Sequence, residues 1–377
     1  MNAPVPTNPQ TNPQPAPQTP SLEEQLAPLR TRIDRIDAEL IRLLNERAGV
    51  AHEVGEVKKV FDAPVFRPER EQQVIARLQA LSHGPLHDAH IASIWREIMS
   101  ASRALEQPTM VAFLGPVGTY SEQAALEYFG NSATGLPCPS IDEVFRSVEA
   151  GASEFGVVPV ENSTEGAVSR TLDLLLSTSL SITGEIALPI HHNLLALGTD
   201  LSAVRVVCAH PQAIAQCQRW LSTHLPHAER RAVASNAEGA RLAAADPTIG
   251  AIAGDRAAAH YGLQTPAAQI QDDAHNRTRF HVIGGMPPAP SGADQTSLIL
   301  SVKNEAGAVY RMLEPFATYG VSMTRFESRP ARSGSWAYYF YIDIEGHREE
   351  PRVAEAIAAL ERIAAFVRVV GSYPRAR

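Results

Sequence analysis

Met110-Val111-Ala112-Phe113-Leu114-Gly115-Pro116-Val117-Gly118-Thr119-Tyr120-Ser121 is the stretch on which the architecture turns. Its unbroken apolar run predicts a strand buried on both faces, and the glycine-bearing turn behind it feeds a helix from about Glu122. Such a turn presents backbone N–H groups to an anion, although the lysine of a Walker loop is missing and, taken singly, a simple strand–helix turn accounts for the segment better. A second buried strand, Phe155-Gly156-Val157-Val158-Pro159-Val160, ends on Glu161-Asn162-Ser163-Thr164-Glu165-Gly166. Polar side chains collected where parallel strands end occupy the place at which open α/β sheets bind ligands. Further strands are predicted over 193–197, 205–209 and 249–253, the second followed by His210-Pro211-Gln212 and a helix. This alternation points to parallel α/β lobes with a cleft between them. His191-His192 invites a metal reading, but adjacent histidines on a strand face opposite ways, and no carboxylate lies nearby in sequence. No metal or cofactor is therefore expected.

Downstream, Asn276-Arg277-Thr278-Arg279-Phe280 sets two guanidiniums around one hydroxyl. Guanidinium forks pair with carboxylates bidentately, and a threonine O–H can hydrogen-bond to a departing oxygen. The pattern suggests a dicarboxylate held in place while a hydroxyl is worked on; a solvated basic turn is the alternative.

A length of 377 residues exceeds one ordinary core and favours two or three domains. A net charge of -8 argues against nucleic acid or an anionic membrane as the main partner, while small anionic substrates remain compatible with local basic pockets. Cys138, Cys208 and Cys217 are odd in number and lack metal-type spacing, which fits a reducing cytosol without a disulfide framework. Residues 1–20 are rich in Pro, Asn, Gln and Thr, with no Lys or Arg, and read as a disordered tail rather than a signal peptide. Nothing reaches the length of a membrane span. A cytoplasmic protein is expected.

Residues 21–107 read as a helical domain. Ser21-Leu22-Glu23-Glu24 is a capping-box pattern, and Leu29, Ile33, Ile36, Leu40, Leu43, Leu44, Ala48, Ala51 and Val54 recur at helical spacing to about Phe61. A helix of roughly 34 residues spans about 50 Å, longer than so small a domain is wide, so it is expected to pair with another chain. Pro68 opens a second helix to about Leu81, and a third carries Ile91, Ile94, Trp95, Ile98, Met99 and Leu105. Arg47 and Lys58 stand nearly three turns apart and share a face, and Ser102 and Glu106 continue the stripe of Ile98 with groups costly to bury outside a polar cavity. Arg30 lies about 100° around the axis from Arg47, so a ligand touching both takes Arg30 from a partner subunit. A charged coiled coil is the competing account.

After a linker over 287–292, the order strand, helix, strand, strand, helix, strand predicts a ferredoxin-like α+β unit, which by itself names no function.

Three resemblances give these patterns a meaning. Arg30, Arg47, Lys58, Arg70, Glu71, Ser102 and Glu106 resemble, in order and spacing, the active-site set of the all-helical chorismate mutases. That family implies an intertwined dimer rearranging chorismate to prephenate. Arg30 of the other chain and Arg47 would hold carboxylates, assisted by Arg70. Glu71 would accept from the substrate hydroxyl, Lys58 and Glu106 would face the ether oxygen, and Ser102 would contact substrate. A pericyclic shift needs only a folded dianion and donors aimed at the oxygen that gains charge. Two positions depart from the pattern: relatives often carry Gln at 106, and some carry Asp where Arg67 stands.

The 115–121 and 161–166 segments, together with Thr278-Arg279-Phe280, resemble prephenate dehydratase over 108–286. This implies two lobes like a periplasmic-binding protein, with prephenate in the cleft. Thr278 would donate to the leaving oxygen, and Arg279 would clamp a carboxylate. Thr119, Ser121, Asn162, Ser163 and Thr164 would position ring and acids. Glu161 is open between a proton source and a structural carboxylate bridging the lobes. Gly307-Ala308-Val309-Tyr310 and Glu327-Ser328-Arg329-Pro330 resemble the phenylalanine-sensing ACT domains over 287–377, with Tyr310 as a departure. The implied effector site lies between two subunits, in a homodimer or larger assembly. On this reading the C-terminal segment is separable: loss of 293–377 leaves activity and abolishes inhibition by phenylalanine. Two other readings stand beside these, an enzyme accepting arogenate and a non-catalytic solute-binding module on a helical dimerisation stalk.

Glutamate donates to an ether oxygen only when protonated. Mutase activity is therefore expected to fall as pH rises, and Glu106→Gln to flatten that dependence; chorismate consumption across pH is the measurement, and an unchanged profile in the variant rejects the idea.

Overall fold

The computed structural model describes residues 21–61, 63–303, 305–331 and 338–376. The tail expected over 1–20, and Trp336 at the head of an expected strand, lie outside them. The chain divides into two compact units, one ending at Glu53 and one beginning at Val54.

Three helices come first: α1 (Leu22–Val60), α2 (Pro68–Leu81) and α3 (Asp88–Glu106). The capping box forms, with Ser21 N and Oγ donating to Glu24 Oε2 at 2.8 and 2.9 Å and Glu24 N donating to Ser21 Oγ at 3.2 Å. Leu29, Ile33, Ile36 and Leu40 are all exposed along α1 and form an apolar stripe.

The first lobe contains β1 (Met110–Leu114), α4 (Tyr120–Phe129), β2 (Thr134–Cys138), α5 (Ile141–Glu149), β3 (Phe155–Asn162), β4 (Gly166–Ala167), α6 (Ser169–Ser177) and β5 (Ser181–Pro189). The second follows as β6 (Asn193–Ala196), β7 (Val206–Ala209), α7 (Pro211–Gln216), α8 (Gln218–His224), β8 (Glu229–Ala232), α9 (Asn236–Ala245), β9 (Ile249–Ala253), α10 (Asp255–Tyr261) and β10 (Gln264–Ala267). The chain then returns to the first lobe through β11 (Arg277–Gly284).

The first sheet runs β2-β1-β3-β11-β5, with β4 beside β3, and the second β10-β6-β9-β7-β8. The expectation of parallel lobes holds for β2-β1-β3 and for β8-β7-β9 alone. β11 is antiparallel to β3 and β5, and β6 to β9. The pentapeptide whose alternative reading is a solvated turn leads into β11, an interior strand between β3 and β5. Because the second lobe is inserted between β5 and β11, its two connections run side by side, Ile190 N donating to Asn276 O at 2.9 Å.

Period-two alternation assigns the faces of the first sheet. Val111, Phe113, Val157 and Val282 turn to a core with α4 and Phe66, while Ala112, Val158, Val160 and Ile283 turn to the opposite one. Phe66, from the α1–α2 loop, packs on Tyr128, Phe129 and Phe155 with ring centroids 4.9–5.9 Å apart.

The C-terminal module, β12 (Asp294–Ser301), α11 (Ala308–Thr318), β13 (Met323–Pro330), β14 (Tyr338–Glu345), α12 (Pro351–Ile363) and β15 (Phe366–Pro374), is the expected ferredoxin-like unit with strand order β13-β14-β12-β15. Both helices cover one face of its sheet through Met312, Phe316, Val353 and Leu360. The other face is shared: Ile299, Tyr341, Val370 and Tyr373 complete the first lobe's core beside Val160, Leu172 and Ile182. The approach is close enough that a Cβ on Gly371 would stand 2.2 Å from the carbonyl oxygen of Ile182. A separable tail is thus not what the structure contains, since removing it strips one wall from a core. Each large apolar side chain so uncovered forfeits about 1.5–3 kcal/mol. A chain ending at Gly292 is expected to melt about 10 °C or more below the full chain when followed by circular dichroism; equal melting would restore the separable-tail view.

Candidate functional site

At the mouth of the first lobe, β3 and β11 bring together residues 116 positions apart. Thr278 and Asn162 are register partners, and Asn162 Nδ2 donates to Thr278 Oγ1 at 2.9 Å and to Asn276 Oδ1 at 3.1 Å. Asn162 Oδ1 closes the following turn by accepting from Thr164 N, Thr164 Oγ1 and Glu165 N. Ser163 Oγ accepts from Arg277 N at 2.9 Å, leaving its own proton free to be donated. Thr278 and Asn276 are buried. Thr119 caps α4, accepting from Glu122 N and donating to Leu114 O, and Ser121 is buried in that helix's first turn. The anion seat expected at this turn is taken, because Gly118 N donates to Glu122 Oε2 at 2.6 Å.

The second lobe supplies side chains that sequence reasoning left out. Gln216, at the end of α7, donates to Thr164 Oγ1 at 2.9 Å, accepts from Asn276 Nδ2 at 3.1 Å and lies 2.9 Å from His192 Nε2. Tyr120 of α4 donates to His191 O at 2.8 Å and meets His192 Nδ1 at 3.1 Å. Burial pushes the His192 imidazole below its ordinary pKa, against the opposing pull of Gln216, so the ring is neutral near pH 7. His192 was weighed only as a metal ligand, and no local pattern singles out Gln216. Neutral donors and acceptors from both lobes thus meet at Thr164, Asn276 and Gln216.

Arg279 is elsewhere. Register pairs it with Glu161 on the opposite face of the same two strands, where it contacts Glu161, Glu185 and Asp343 at 3.1, 2.8 and 3.1 Å. Burial opposes its charge, but Asp343 and Glu185 outweigh that and hold its pKa above the usual guanidinium range. The expected clamp on a substrate carboxylate is instead a clamp on three carboxylates of the chain itself. Glu161 bridges toward the C-terminal sheet, not between the lobes.

In the helical module, Lys58 Nζ donates to Val65 O at 3.0 Å and lies 3.4 Å from Glu106 Oε2, so the two residues expected at the ether oxygen do meet. Gly55 is what admits Glu106, since a Cβ there would stand 2.7 Å from Glu106 Cγ. Ser102 Oγ donates back to Ile98 O at 2.8 Å, and Arg70 is exposed. Glu71 is bound by Arg103, whose guanidinium also donates to Phe129 O and lies 4.8 Å from the Phe66 ring centroid. In the other unit, Arg47 is half-buried and Arg30 pairs with Glu23 on the helix surface.

Of the expected regulatory residues, Gly307 caps α11 before Ala308, and Val309 is exposed. Glu327 pairs with Arg325, Ser328 follows it on β13, and Pro330 ends the strand. Arg329 holds α6 of the first lobe, lying 3.0 Å from Asp173 and donating to Ser169 O at 2.6 Å.

Helices carrying a Lys–Glu pair, a two-lobed cleft of neutral donors and a ferredoxin-like sheet define a multidomain enzyme with more than one site, and comparison with known proteins gives the kind. The family model for chorismate mutase type II matches residues 29–107, that for prephenate dehydratase 111–287, and that for the ACT domain 296–362. The bifunctional chorismate mutase/prephenate dehydratase of Neisseria gonorrhoeae is 50% identical over 94% of this chain and 99% of its own length. That of Stutzerimonas stutzeri is 46% identical over 94% and 98%. A crystal structure of prephenate dehydratase in complex with L-Phe from Arthrobacter aurescens superposes with a TM-score of 0.66 at 36% identity, covering 71% of this chain and 90% of that one. The chain belongs to the bifunctional chorismate mutase/prephenate dehydratase family. Among the described residues no helix is long and apolar enough to cross a membrane.

Gly55→Ala is expected to displace Glu106 from Lys58. Mutase turnover in the variant falls by about tenfold or more while dehydratase turnover holds, and separate assays on chorismate and prephenate check it.

Proposed function

We propose that the chain rearranges chorismate to prephenate in its helical module and converts prephenate to phenylpyruvate in the cleft, with phenylalanine acting through the C-terminal module. The observation that carries the dehydratase half is the Asn162–Thr278 hydrogen bond. Because Thr278 Oγ accepts from the Asn162 amide, its own proton is left to be given outward, and that is what a departing ring hydroxyl requires. The bond from ring to carboxylate breaks to release CO₂, its electron pair aromatises the ring, and hydroxide leaves and is protonated to water. Aromatisation drives the reaction, so the protein need only hold the acids and ease hydroxide away. With Arg279 committed elsewhere, the substrate carboxylates fall to neutral donors, among them Ser163, Gln216 and Ser121.

In the mutase half, Lys58 and Glu106 face the ether oxygen, Lys58 as a charged donor and Glu106 as a donor in its protonated form. Arg47 and a second protomer's Arg30 take the carboxylates, assisted by Arg70. The exposed apolar stripe of α1 supports a homodimer or larger assembly, since so long an apolar row is stable only when covered. Three free buried cysteines support work in the cytosol. The exposed Val309 beside Gly307 and Ala308 leaves the implied phenylalanine seat open to a second subunit.

The test is to give purified chain chorismate and to follow phenylpyruvate by its absorbance in base, with and without phenylalanine; arogenate is assayed alongside prephenate. Thr278→Ala is expected to lower dehydratase turnover about 10²–10³-fold, the scale of losing one transition-state donor, while mutase turnover stays intact. Near-normal dehydratase turnover removes Thr278 from the mechanism.

A further inference from the structure

Behind the strand ends that carry Asn162 and Thr278 lies a cluster the chemistry above does not use. Successive side chains on a strand point to opposite faces, so Glu161 and Arg279 project away from the cleft and toward the C-terminal sheet. There one oxygen of Glu161 is shared, with Arg279 Nη1 and Arg325 Nε each 3.1 Å from Oε2. Arg325 belongs to β13, and its Nη2 is paired with Glu327 two residues along. Its side chain is 8% exposed, so it sits in a medium where its charge acts strongly on the carboxylates around it.

The three anions around Arg279 are not equally held. Glu185 and Asp343 have side chains 7% and 3% exposed, whereas Glu161 is 35% exposed. Without Arg325, Glu161 shares one guanidinium with two buried carboxylates that other donors also hold in place, Gln295 and Ala376 N on Glu185 and Ser297 on Asp343, and of the three it alone can turn to water. Its peptide neighbour is Asn162, the last residue of β3, where the strand is flanked by the first residues of β11 on one side and by the two-residue β4 on the other. A carboxylate that swings out at 161 thus loosens the backbone from which the Asn162 amide is aimed.

We propose that Arg325 is a positioning residue for the dehydratase reaction: from the C-terminal module it holds Glu161, and through Glu161 it fixes the Asn162–Thr278 hydrogen bond without touching substrate. This inference rests on the dehydratase activity proposed above.

The experiment is steady-state kinetics on the full chain. Arg325→Ala lowers dehydratase kcat about 10–100-fold, the scale of a misaimed catalytic group. KM for prephenate stays within about threefold, because the lost interaction matters in the transition state rather than in binding. Mutase turnover is unchanged and reports that the chain is folded. Arg325→Lys keeps the charge, but one ammonium cannot span Glu161 and Glu327 as the fork does, so it restores part of the rate. The deciding measurement is the double-mutant cycle with Glu161→Gln: if Arg325 acts through Glu161, the double variant is no slower than the slower single one. Additive losses overturn the proposal, and so does a kcat for Arg325→Ala within about twofold of the parent. If Arg325→Ala does not fold, the same cycle and criteria apply to Arg325→Gln. A parent chain that makes no phenylpyruvate removes the proposed function and this inference together; an active parent with an indifferent Arg325→Ala removes this inference alone.

Discussion

The pairing of β11 with β3 is the constraint on which the rest of the molecule depends. It closes the first sheet after the whole second lobe has been inserted, and the pairing of β11 with β5 on its other side places the two connections between lobes against each other at Ile190 and Asn276. A two-strand junction of this kind bends more easily than a packed core. Thr278 and Asn162 sit at the edge of that junction, so the hydroxyl belongs to the fixed lobe while Gln216 and His192 arrive from the other.

The same pairing divides labour between its faces. Toward the cleft it offers hydroxyl and amide; toward the C-terminal sheet it offers Glu161 and Arg279, which are bound up with Glu185, Asp343 and Arg325. A buried ion cluster contributes little net stability, because desolvation cancels much of the attraction, but it is intolerant of misplacement. Apolar contact through Ile299, Tyr341 and Tyr373 holds the modules together, and the ions set their register.

What the sequence disclosed follows from how local each signal is. The 3.6-residue period of α1, its capping box, and the unbroken apolar runs of β1, β3 and β9 are local, and their elements stand close to where they were expected. Asn162 and Thr278 both lie in segments whose residue types suggested chemistry, yet nothing local says that they meet across 116 positions. β11 was hidden because Arg277 and Arg279 lend it the look of an exposed turn, when Arg279 is in fact neutralised by carboxylates from β3, β5 and β14. For the same reason Arg279 reads in sequence as a clamp for substrate carboxylates while the structure pairs it with carboxylates of the chain: residue type is legible and strand face is not. Gln216 lies in a short helix of ordinary composition and is functional only by position.

Arg103 shows how far the fusion of modules has gone. Its guanidinium holds Glu71 of the helical module while donating to the carbonyl of Phe129 in the first lobe and lying against the Phe66 ring. Cutting the chain after α3 would take away the Phe129 carbonyl and leave Arg103 facing water with Glu71 and the Phe66 ring alone, so this one side chain ties α2 and α3 to the lobe that follows.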